Sequence, residues 1–81
     1  MKTYFIEPTL KNQFDGVFRY HEPQDDQIER YLAIRDKARE LAYLIGNHTP
    51  PSREQSLALT HLQECVMFAN AAIAVNESTD E

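Results

Sequence analysis

The run His48-Thr49-Pro50-Pro51-Ser52 constrains the fold of this chain more than any other stretch in it. Proline donates no backbone hydrogen bond and pushes the residue before it out of the helical region, so two in succession end any helix that reaches them. Ser52 behind them fits an N-cap, with Gln55 at capping-box spacing. Apolar residues recur with helical period on both sides. The spacing therefore predicts two helices joined by a loop so short that they must lie antiparallel. The first is expected over 24–46, after Pro23, with Asp25 or Asp26 as N-cap and Gly46-Asn47 suited to a left-handed C-cap. The second is expected over 52–76, leaving 77–81 as a frayed tail. Residues 1–23 read as an irregular arm containing Pro8 and the turn signal Asp15-Gly16, compatible with a short strand or hairpin. The fold class is all-α: one domain, an antiparallel two-helix hairpin with an N-terminal arm.

Plotted at roughly 100° per residue, the helices also state what they must bury. On the first, Tyr31, Ile34, Ala38, Leu41, Ala42 and Ile45 share a sector, widened by Ile28, Leu32 and Tyr43, and Arg35 falls inside it. On the second, Ala58, Leu62, Cys65, Ala69 and Ala72 line up, flanked by Leu59, Val66 and Ile73. Its later half, CVMFANAAIAV, is apolar nearly all round, with Met67, Phe68, Ala71, Ala74 and Val75 pointing away from the seam. One hairpin partner cannot cover every face of such a helix. A homo-oligomer is expected.

Bulk properties remove several function classes. At 81 residues the chain is near the lower limit for a self-sufficient core. No apolar run approaches the roughly 20 residues of a bilayer span, and the N-terminus lacks a signal-peptide pattern, so a soluble chain is expected, without membrane contact. The lone Cys65 fits a reducing cytoplasm and a packed thiol. A net charge of −5 argues against tracking a nucleic-acid polymer. A ligand with two or three phosphates needs only a local cluster of cations.

The stretch FRYHEP offers such a place. Phe18 serves as a staple of the arm on the hairpin or as a stacking ring. Tyr20, with a polar tip that favours half-exposure, can stack a nucleobase beside a cation. Arg35 in its apolar sector must pair with a carboxylate across an interface, reach water along its stem, or meet an anionic ligand. Lys37 and Arg39 read as solvated or paired along the helix through Glu40 and Asp36.

YHEP, then YLAIRDKARELAYLI, then PPSREQSLALTHLQECVMFANAAIA resemble the small bacteriophage anti-CBASS sponge proteins, which capture cyclic oligonucleotide messengers of a bacterial defence system. The resemblance covers about residues 18 to 76. It implies a helical homohexamer built from dimers, acting in the cytoplasm of the host bacterium, with cyclic dinucleotides such as 3′,3′-cGAMP held between protomers. It implies that Tyr20 stacks on a base and that Arg35, or else Lys37, meets a phosphate, with Arg19 and His21 either lining the pocket or lying on the surface. Cyclic trinucleotides are a second implied ligand class, although Asn70 and Ala71 stand where a basic residue is expected.

Two rivals come from other classes. An enzyme degrading the same nucleotide needs a metal cluster or a matched nucleophile and base. His21, His48 and His61 are scattered, and His61-x-x-Glu64 lacks a second ligand pair, so neither catalysis nor a metal or other cofactor is expected. A helical module that inhibits a protein by docking on it would use the apolar half of the second helix.

Overall fold

In a computed structural model of the chain, which describes residues 1–77, three helices follow one another: α1 (Pro8–Val17), α2 (Gln27–His48) and α3 (Arg53–Asn76). No strand occurs among the described residues, and α2 and α3 form the antiparallel hairpin.

The arm departs from its expectation. Where Asp15-Gly16 suggested a strand or hairpin turn, the chain is helical from Pro8 to Val17. Pro8 occupies the first turn, where its missing amide costs nothing. Leu10, Phe14 and Val17 then fall on one face at spacings of four and three. That stripe outweighs the turn preference of two residues, and α1 packs on α3.

The helix ends differ in detail. Gly46 has no left-handed φ, and α2 runs on to His48. Its stop is Thr49, extended at φ −127° and ψ 146° as a residue before proline must be. Ser52 caps α3, its Oγ accepting the Gln55 N–H at 3.1 Å. Gln55 does not reciprocate. Its amide nitrogen instead donates to the Thr49 carbonyl and to Thr49 Oγ1, both at 3.0 Å, tying the start of α3 to the end of α2. Asp26 is the N-cap of α2 but makes no side-chain cap bond, and Asp25 before it takes φ 50°. Glu77 is not frayed: its N–H donates to the Ile73 carbonyl at 3.0 Å. The remainder of the expected tail, 78–81, lies outside the described residues.

Packing is shallow. On α2 the half-buried apolar positions are Tyr31, Ile34, Ala38, Ala42 and Ile45; on α3 they include Leu59, Leu62, Val66, Ala69 and Ile73, a three-four alternation typical of a helix pair. Cys65, Ala58 and Ala72 are exposed rather than on the seam. The seam follows the larger side chains beside them. Ala74 and Val75 are half-buried where α1 approaches, and Val75 Cγ1 would lie 3.5 Å from a Cβ placed on Gly16. By length and mean hydropathy, 1.2 over 18 residues, α3 is long and apolar enough to cross a membrane, although polar residues such as Gln63 and Glu64 interrupt it.

Among the described residues no apolar side chain is fully buried, and the one buried residue is Gln27. The chain exposes 7091 Å², where a compact protein of its mass would expose about 5,000 Å². Its radius of gyration is 17.3 Å, against about 12 Å for a compact chain of this length. The three principal extents are 48, 41 and 15 Å, a slab little thicker than one helix.

Candidate functional site

The connection between α1 and α2 presents the aromatic candidates. Phe18 is the C-cap of α1 and is 82% exposed; Tyr20 follows, 78% exposed. Phe18 and Arg19 join Phe14 and Asp15 around a shallow hollow of about 520 Å³. Phe18 therefore lies on the surface rather than stapled beneath the hairpin. Tyr20 makes no hydrogen bond and no ring contact among the described residues. His21 is different. Half-buried, its Nε2 meets the Gly16 carbonyl at 2.7 Å, and its Nδ1 is buried without a partner. A carbonyl can only accept, so Nε2 donates, and His21 serves first as a peg on the end of α1.

The helix cations divide between two faces. Arg35 and Arg39, four residues apart, share a groove of about 580 Å³ with Ala38, Ala42, Leu62, Gln63, Val66 and Met67. Lys37 lines a second groove of about 480 Å³ with Ala33, Ile34, Leu41, Leu62, Cys65 and Ala69. Two residues along a helix is a rotation of roughly 200°, which separates Lys37 from Arg35 across the slab. Lys37 is already paired with Glu40 at 3.3 Å, and Arg39 lies over the Tyr43 ring at 5.8 Å, bordering a further hollow with Asp36 and Glu40. Arg35 is exposed and has neither hydrogen bond nor ion pair among the described residues. A guanidinium on apolar walls, with all five donors free, is suited to an oxyanion.

No groove among these is lined by Tyr20 together with Arg35. From Gln27, where α2 begins, Arg35 stands about 12 Å along the axis, whereas Tyr20 precedes that helix. The ring and the cation thus share none of these grooves within one chain.

Sequence reasoning did not single out the polar cluster at the open end of the hairpin. Arg30 bonds Glu77 through two nitrogens, with Nη1 to Oε2 at 2.8 Å and Nη2 to Oε1, and its Nε bonds Asp26 Oδ1 at 3.1 Å. Gln27 Nε2 donates to Glu77 Oε1 at 3.3 Å. The bonds from Arg30, and next from Gln27, hold the Glu77 carboxyl down at about 2, and the same contact raises the already high pKa of Arg30. The Asp26-Arg30 spacing was a legible i,i+4 pair; nothing in the spacing pointed to Glu77. His61 Nδ1 and Glu64 Oε1 are 2.9 Å apart and exposed. Among the described residues no group of three or more His, Cys, Asp or Glu could hold a metal ion.

The family model described as Acb2/Tad1, hairpin domain, matches residues 11–74. The match begins inside α1, earlier than the resemblance suggested by the sequence. No curated protein and no solved structure matches the chain.

Proposed function

Because the chain belongs to the Acb2/Tad1 hairpin family of anti-CBASS sponges, we propose that it binds cyclic dinucleotide messengers such as 3′,3′-cGAMP and withholds them from their effector without altering them. The observation that carries this reading is the unpartnered presentation of Tyr20, whose ring is 78% exposed and free of its own subunit's interior. Arg35 supplies the complementary group, a free cation on an apolar wall. A cyclic dinucleotide presents two base faces and two charges, so two copies of one ring and one cation match it under twofold symmetry. Stacking contributes about 1–3 kcal/mol per base, and charge-assisted bonds to the phosphates add to it.

None of the grooves described above brings Tyr20 and Arg35 together, which supports a site that closes between copies. The excess exposure, about 2,000 Å² over a compact monomer, exceeds the roughly 800 Å² that each partner contributes to a standard interface. Apolar grooves on both faces of the slab favour more than one interface per chain, in keeping with a hexamer assembled from dimers. Cyclic trinucleotides are the second ligand class. We place them behind dinucleotides, because Asn70 is half-buried with Oδ1 unpartnered and Ala71 carries no charge. The protein acts in the cytoplasm of the host bacterium and performs no chemistry on its ligand.

Calorimetric titration with 3′,3′-cGAMP, followed by heat release and chromatography, tests this. Binding with intact ligand recovered supports the sponge, and cleaved product replaces it with an enzyme. Met67 and Phe68, 68% and 75% exposed, favour a second reading as a module that docks on a protein. Absence of heat and of thermal stabilisation at excess ligand selects that reading.

A further inference from the structure

Gln27 is the one buried residue among those described, 6% exposed, and a buried amide must find partners. Its Oε1 accepts the Gln24 N–H at 2.9 Å, its backbone N–H donates to the Gln24 carbonyl at 2.9 Å, and its Nε2 reaches Glu77. Arg30 spans Glu77 and Asp26. Glu77 is itself fixed to α3 through the Ile73 carbonyl. At the other end of the same connection, His21 pegs Gly16, which backs onto Val75. Both ends of the segment carrying Tyr20 are therefore referred to the last turn of α3, while the tyrosine between them stays free.

A turn held in place before the ligand arrives avoids the ordering entropy that a loose loop loses on binding. We infer that Glu77, acting through Gln27 and Arg30, is a positioning residue for Tyr20: a polar clamp that holds the ligand-capturing turn in its binding arrangement without touching the ligand. This rests on the sponge reading above.

The test is a double-substitution cycle on the full chain with 3′,3′-cGAMP, combined with amide hydrogen exchange. In Glu77→Ala, exchange at the Gln24 and Gln27 amides accelerates while that of the α2–α3 seam around Leu62 and Val66 does not, and affinity falls by about fivefold or more. Tyr20→Ala then costs clearly less in the Glu77→Ala background than in the parent, because the two act as one unit. Glu77→Gln, which keeps an acceptor for Gln27, gives an intermediate loss and serves if the alanine variant fails to fold. Unchanged exchange at the Gln24 and Gln27 amides, or losses that simply add, overturns the inference. A parent chain that binds no cyclic dinucleotide overturns the sponge reading instead, and the exchange measurement still decides whether the clamp exists.

Discussion

Arg30 and Glu77, 47 residues apart in sequence, meet through two parallel hydrogen bonds that join the beginning of α2 to the end of α3. Forked geometry of this kind fixes direction as well as distance. It closes the end of the hairpin opposite the double-proline loop, so the pair is tied at both ends.

This contact gives stability a defined acid limb. The folded carboxyl titrates at about 2 rather than at its ordinary 4.5, so its contribution is fully present above pH 4.5 and is lost as pH falls toward 2. Thermal unfolding from pH 7 to pH 2 should show the parent losing its advantage over Glu77→Gln across that interval. A constant difference between the two chains contradicts the assignment.

Tyr20→Ala and Arg35→Ala are each expected to weaken cyclic dinucleotide binding by tenfold or more, about 1.4 kcal/mol, while leaving helix content unchanged. Arg35→Lys retains the charge but loses the planar fork and should recover only part of the affinity. Lys37→Ala, on the other face and already paired with Glu40, should stay close to the parent. Titration calorimetry across this set separates the two candidate cations.

Light scattering at micromolar concentration is expected to give a mass well above the 9.4 kDa of one chain. Val66→Asp, which places a charge among the walls of both apolar grooves, should lower it. Cys65, exposed in the isolated chain and lining one groove, should react with a thiol reagent more slowly in the assembly than after dissociation.

Two substitutions bear on the hairpin alone. Ser52→Ala removes the cap on Gln55 and should destabilise by about 1 kcal/mol. Gly46→Ala should stabilise by about 0.5–1 kcal/mol, because Gly46 is helical and a Cβ there meets nothing within 4 Å. Chemical denaturation measured at one protein concentration checks both.

The hairpin was legible because Pro50-Pro51 and two periodic segments leave little freedom. The seam was legible only to within one position around α3: alanines and Cys65 share a face by geometry, but Leu59, Val66 and Ile73 have the volume to fill the gap. Residues 8–17 misled because a two-residue turn signal was weighed above the Leu10, Phe14 and Val17 stripe. Tyr20 and Arg35 stand out in the sequence through their anomalous settings, a ring at a helix entrance and a charge in an apolar sector. The Glu77 clamp was not, because a single carboxylate after a helix carries no periodicity, and only the antiparallel return of the chain brings it to Arg30.

The slab, 15 Å through its thin dimension, has a thermodynamic consequence. With no apolar side chain fully buried among the described residues, a chain whose copies pack on one another, as proposed above, should have no melting temperature that belongs to it alone. Its midpoint should climb with the amount of protein dissolved, as mass action requires. Freshly made copies, still dilute, should be the ones proteases reach, and crowding with siblings should be what shelters them.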